Sequence, residues 1–129
     1  MRVLETGDWS LLLGDEWIAE QDEDSILIGD RDGVGCLEIS ELRREQGQFG
    51  EADLDELMEA GQDASAIRCG DFRGRVTRFA EDGAALRQWC LYTADLLLYV
   101  TYSCDVDNAG LDDAAVDEML ATLHYAAQD

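Results

Sequence analysis

Apolar positions along this chain come in two rhythms, and their order predicts the elements. Residues 9–13 and 17–20 form short extended runs around Gly14-Asp15, while residues 25–29 and 34–40 flank Asp30-Arg31-Asp32-Gly33. Short runs bounded by Gly and Asp predict strands, and Asp-Gly supplies the positive φ that a hairpin turn requires. After Gly47-Gln48-Phe49-Gly50 the period lengthens. Leu54, Leu57 and Met58 fall on one helical face of residues 51–61, with Glu51 and Asp53 in the first turn, at the positive end of the helix dipole.

Strand periodicity then returns over residues 67–69, 74–80, 85–92 and 96–104, separated by Gly70-Asp71, Glu81-Asp82-Gly83 and Thr93-Ala94-Asp95. Loops this short predict an antiparallel meander. In the last of these runs Leu96, Leu98, Val100, Tyr102 and Cys104 share one face, and Leu97, Tyr99 and Thr101 share the other. Apolar residues on both sides require cover on both sides. Residues 112–125 predict a second helix, with Val116, Met119, Leu120 and Leu123 as its buried stripe. The expected fold is α+β: a mainly antiparallel sheet with two helices, layered as an α/β/α sandwich.

Composition fits one folded unit. The chain has 129 residues, is 47% hydrophobic and contains no proline, so residues 1–129 are expected to form a single domain with its own core. The opening Met1-Arg2-Val3-Leu4-Glu5 lacks the basic-then-apolar pattern of a secretory leader, and the longest apolar run, residues 96–100, is strand-sized. A cytoplasmic location is expected. Cys36, Cys69, Cys90 and Cys104 are far apart, without a C-x-x-C pair or a nearby histidine, so four reduced thiols packed as small apolar groups are expected.

Charge changes this picture most. Thirty carboxylates stand against nine arginines and no lysine, a net charge of −21. Such a field repels nucleic acid and anionic membranes and attracts a basic protein or cations. Adaptation to a salt-rich setting is a second explanation, because screening relieves the self-repulsion. The excess is uneven: residues 1–65 hold 19 acids and 4 arginines, a net −15, and residues 66–129 a net −6. Asp22, Glu23, Asp24, Asp30 and Asp32 are therefore the candidate partner-binding acids. Trp17, between Asp15-Glu16 and Glu20, is a candidate for the desolvated centre of that contact or an anchor of its own segment in the core.

The order of elements has a precedent. A Trp9 and Trp17 segment, a hairpin ending in Gly35-Cys36-Leu37-Glu38-Ile39-Ser40, a helix, Gly70-Asp71-Phe72-Arg73-Gly74 opening a meander, Tyr99-Val100-Thr101-Tyr102-Ser103-Cys104, and a closing helix resemble the PsbP/Mog-type α/β/α sandwich superfamily. A proline expected near Trp17 is missing. The resemblance implies binding without catalysis, since that group includes a photosystem accessory protein, a Ran-GTPase binding protein and bacterial adaptors for secreted effectors. It carries no functional residue to this chain.

Other chemistry is weaker. Asp105-Val106-Asp107-Asn108-Ala109-Gly110 opens like a calcium loop, but alanine fills the fifth position and Val116 the twelfth, so a polar turn capping the second helix is expected. Arg68, Arg73, Arg75, Arg78 and Arg87 against Asp71, Glu81 and Asp82 make a locally basic stretch, best used in internal ion pairs. His124, the only histidine, is expected near a helix C-terminus rather than in an acid/base role. No catalytic residue, metal or cofactor is predicted. The expectation is a non-enzymatic acidic protein-binding domain, an adaptor or an immunity-like inhibitor of a basic partner; the alternatives are a small-ligand or metal-dependent enzyme with a sheet-helix pocket, or an accessory subunit.

Overall fold

Residues 2–57 and 64–126 are described by the structure, a computed structural model. The elements run β1 (Arg2–Glu5), β2 (Trp9–Leu13), β3 (Trp17–Gln21), β4 (Ser25–Asp30), β5 (Gly35–Arg43), α1 (Glu51–Leu57), β6 (Ala64–Cys69), β7 (Phe72–Glu81), β8 (Ala84–Thr93), β9 (Leu96–Asp105), a 3₁₀ turn (Val106–Asn108), α2 (Asp113–Leu120) and β10 (His124–Tyr125). Seven strands form one sheet in the order β3-β4-β5-β9-β8-β7-β6, and β1-β2-β10 form a second. Each described pairing is antiparallel. The fold is α+β, as the periodicity predicts.

Turn chemistry sets the registers. Gly33 closes the β4–β5 hairpin at φ +70°, and Asp82 with Gly83, at φ +52° and +83°, gives the β7–β8 hairpin the two left-handed residues of a type I′ turn. Strand β5 runs three residues past its predicted end because it pairs with β9 at nine positions, Gly35 with Cys104 through Arg43 with Leu96.

Alternation along these strands sorts the core into two clusters. On one face of the large sheet, Ile28, Leu37, Ile39, Trp89, Leu91, Leu98 and Val100 pack with Trp9 and Leu11 of β2 and with Val116, Met119 and Leu120 of α2. On the other, Leu54 of α1 and Phe49 cover Cys90, Tyr92 and Leu97. The two-sided apolar character of β9 is thus met from both sides. Burial of these side chains from water is the main favourable term in folding.

Several expectations are corrected. The second helix ends at Leu120, not 125: beyond it the chain turns, and His124 and Tyr125 pair with Ser10 and Trp9 at the edge of β2. His124 is therefore an exposed strand residue, its Nδ1 2.7 Å from an Asp71 carboxylate oxygen. The first helix is described only to Leu57; residues 58–61 of the prediction lie outside the described residues. Within it Leu54 is buried but Leu57 is 42% exposed. Asp105 caps the 3₁₀ turn, while the Asp112 side chain makes no capping bond to α2. Strand β1 was not predicted at all.

Candidate functional site

Five of the nine arginines are held in ion pairs among the described residues, and the acids they leave over define the surface. Arg43 pairs with Asp8 at 2.8 Å, Arg44 with Asp53 at 2.8 Å, and Arg75 with Asp55 and Glu51 of α1 at 2.5 and 3.2 Å. Arg78 reaches Asp113 at 2.8 Å, and Arg87 reaches Asp117 and Asp113 of α2 at 2.8 and 3.5 Å. Arg75 and Arg78, three apart on one strand, serve helices on opposite faces. The basic stretch of the sequence is used mainly to hold both helices to the sheet.

The acids of β3 to β5 are left without such partners. Asp22, Glu23 and Asp24 are exposed in the β3–β4 turn, where Asp22 Oδ1 accepts the Glu23 N–H at 2.9 Å. Asp30 ends β4 and Asp32 follows it in the β4–β5 turn, at the far end of the strand, roughly 17 Å away at ~3.3 Å per residue. The five candidate acids therefore form two groups. Asp30 is committed internally: one oxygen accepts the Val34 N–H at 2.9 Å, and its carboxylate faces Asp112.

Trp17 does not belong to an exposed contact. It is 4% exposed and lies in the main core, because its register opposite Asp30 of β4 turns the indole toward α2 rather than solvent. The Arg2 guanidinium donates to its carbonyl and ties β1 to β3. Of the two roles open to Trp17 in the sequence, anchoring is the one the burial supports.

A groove of about 360 Å³ lies where the β1–β2 corner meets the β3–β4 turn. Its lining includes Glu23, Asp24, Glu41, Trp9, Ile26 and Ile39. Glu41 was not predicted, since it lies one strand away from the acidic run and meets Asp8 only through tertiary folding. Desolvation, and next the Asp8 carboxylate, hold its pKa above the usual carboxylate range, with Arg43 opposing. A smaller apolar cavity of about 180 Å³ lies between the sheet and the 3₁₀ turn, beside Phe79, Leu86, Cys104 and Val106. Arg78 and Arg87 at its rim are already neutralised by Asp113 and Asp117.

Catalytic chemistry gains little support from the thiols. Burial pushes the Cys69 and Cys90 thiols up to about 11, which keeps them protonated near neutrality. Cys36 is exposed, against the expectation of four packed thiols, because it points away from the core face of β5; desolvation and Glu38 still raise its pKa. Among the described residues, no group of three or more His, Cys, Asp or Glu side chains could hold a metal ion, and no helix is long and apolar enough to cross a membrane.

Two carboxyls predict a pH dependence. Asp112, desolvated and facing Asp30, also has a raised pKa despite accepting a hydrogen bond from Tyr102. A raised carboxyl favours folding below its unfolded value of about 4, and that contribution disappears as pH rises through the folded value. Asp53 acts oppositely, held low by the Gly50 N–H and by Arg44, so its contribution is lost in stronger acid. Thermal unfolding followed from pH 7.5 down to about 5 should show stability rising, then falling below about 4. Replacing Glu41→Gln together with Asp112→Asn should flatten the rise.

The whole defines an acid-rich α+β domain with an antiparallel sheet covered on both faces and an acidic groove at one corner. No family profile and no curated protein sequence matches the chain. Solved structures do resemble it. A protein of Bacteroides thetaiotaomicron VPI-5482 matches 93% of this chain with a TM-score of 0.71 and 22% identity; the chain spans 46% of that protein's length. LpqN of Mycobacterium tuberculosis, involved in cell envelope biogenesis, matches 92% of this chain and 83% of its own with a TM-score of 0.60 and 15% identity. At these identities the likeness is one of fold.

Proposed function

We propose that this chain is a non-enzymatic binding domain that engages a basic partner protein through the acidic end of β3 to β5. One observation carries the reading: five of the nine arginines, Arg43, Arg44, Arg75, Arg78 and Arg87, are spent on internal ion pairs, while exposed Glu20, Asp22, Glu23, Asp24 and Asp32 take part in no ion pair among the described residues. Unpaired like charges cost stability in the free protein and are relieved by a cationic surface. Such a domain acts as an adaptor, an inhibitor of its partner, or an accessory subunit. The cytoplasm, where free thiols stay reduced, is the compartment this reading assigns. Helix α1 on one sheet face and α2 on the other support the resemblance to PsbP/Mog-type sandwiches; the small sheet sharing the α2 side is a departure from a plain helix layer.

Affinity capture from cell extract tests the proposal, at about 50 mM and about 300 mM salt, where screening lengths differ roughly twofold. A single basic protein should be retained at low salt and lost with Asp22→Asn/Glu23→Gln/Asp24→Asn. Identical retention by that variant would overturn the reading. A saturable small metabolite bound in the apolar cavity, unaffected by salt, would instead favour the enzyme alternative.

A further inference from the structure

The apolar cavity beside the 3₁₀ turn has its cause in the register of the large sheet. Arg78, Arg87 and Tyr102 align across β7, β8 and β9, and Ala80, Ala85 and Cys104 align in the next row of the same face. A row of large side chains thus gives way to a row of small ones, and Val106, Ala109 and Gly110 wall the hollow that is left. Its volume of about 180 Å³ is near the roughly 150 Å³ that takes one benzene-sized group, and below the roughly 300 Å³ at which ordinary small-molecule sites begin. It matches one large apolar side chain. Apolar surface continues outward from the mouth: Val106 is 46% exposed, and Leu111, next after Gly110, is 67% exposed, the most of any large apolar residue among those described. The surroundings are acidic. The Val106 N–H donates to the Gly83 carbonyl at 2.9 Å and seats the turn on the β7–β8 hairpin. Glu81 and Asp82 at that hairpin, with Asp105 and Asp107 at the turn, are exposed and enter no ion pair among the described residues. Arg78 at the mouth is answered by Asp113 at 2.8 Å, so the surplus charge around the hollow is negative.

We infer that this hollow is the anchor point for a basic partner protein: it receives one large apolar side chain, such as leucine, from a segment whose flanking lysines or arginines meet Glu81, Asp82, Asp105 and Asp107. An apolar centre inside a charged rim is the usual anatomy of a protein interface, and a single side chain seated in a pocket there contributes out of proportion to its area. Charge selects the occupant. A second copy of this chain brings −21 to a rim that is already negative, whereas a basic segment relieves it. The hollow lies at the opposite end of the sheet from Asp22, Glu23 and Asp24, since Ser25 aligns with Ser40 and Tyr99 while Gly35 aligns with Cys104.

This inference rests on the basic-partner reading for the sign of the partner's charge, and short peptides separate the two. The test follows the amide signals of Ala85, Val106 and Ala109 in ¹⁵N-labelled protein by NMR while a blocked Lys-Lys-Leu-Lys-Lys peptide is added at low salt. The signals should shift saturably. Replacing the central leucine by alanine, or the four lysines by glutamines, should each weaken binding at least about tenfold, equivalent to 1.4 kcal/mol. Ala85→Leu, which fills the hollow from within, should abolish the response while Tm holds or rises. Val106→Ser, at a half-exposed position, should weaken binding several-fold without loss of fold. Equal binding of the alanine or glutamine peptide, unchanged binding by Val106→Ser, tighter binding of cyclohexanol than of the leucine peptide, or the same shifts on concentrating the protein alone would each overturn the inference. The variant Asp22→Asn/Glu23→Gln/Asp24→Asn should bind the leucine peptide within about twofold of the parent, a ratio below 0.5 kcal/mol. A partner lost with that variant but held at full strength by Ala85→Leu would sink the anchor and leave the acidic-surface reading standing.

Discussion

Gly74→Ala is expected to destabilise the domain by about 3 kcal/mol or more, lowering Tm by roughly 10 °C. Gly74 sits inside β7, between Ile67 of β6 and Leu91 of β8. A Cβ there would lie 1.8 Å from the Cys90 carbonyl oxygen and 3.0 Å from the Leu91 Cα. Those atoms are backbone, so no side-chain rotation relieves the overlap; β7 and β8 would have to separate where the sheet carries Trp89 and Leu91 into the core. Gly7 is the control, because a Cβ there meets nothing within 4 Å. Gly7→Ala should be neutral or slightly stabilising through the unfolded chain. Chemical denaturation of both variants checks the contrast, and equal midpoints would show that β7 can yield at Gly74.

That same glycine shows where sequence reading reaches its limit. Alternation made β7 to β9 legible, and Asp32-Gly33 and Asp82-Gly83 announced their hairpins through local turn chemistry. Gly74, however, reads as a strand start, although a glycine within an alternating run can also mark close backbone approach. Strand β1 was invisible for a different reason. Three of its four residues are exposed and only Leu4 packs against the core, so it carries no periodic signature; its pairing with β2 creates it. The stripe of α2 extends by period to Leu123, which is buried, but through a turn rather than a helix. At the candidate site the acids of residues 22–24 were legible as composition. Glu41 and Asp8 were not, because they lie 33 positions apart in the chain and only the meeting of two sheets brings them together.

Neutralising both Asp113 and Asp117 to asparagine should cost about 3 kcal/mol, even though it removes two charges from a protein carrying −21. Global repulsion predicts the opposite sign, so the experiment separates local from long-range electrostatics. Arg87 decides the outcome. Its side chain is 9% exposed, lies 4.5 Å over the Trp89 ring and is answered by these two carboxylates alone among the described ion pairs. With both neutral, a guanidinium stays buried without a counter-charge. Asp113 also takes Arg78 and occupies the first turn of α2, where a carboxylate is favoured by the helix dipole. Since Asp117 is 52% exposed, solvent screening keeps the cost at the lower end for a broken buried pair. Asp22→Asn with Asp24→Asn, equal in charge removed, should be neutral or stabilising, because neither acid is paired. Adding Arg87→Met to the first double variant should recover most of the loss, as an apolar side chain of similar length replaces the unanswered cation against Trp89. Equal effects of the two double variants in thermal unfolding would mean that the field of the whole molecule, and not the Arg87 cluster, holds α2 to the sheet.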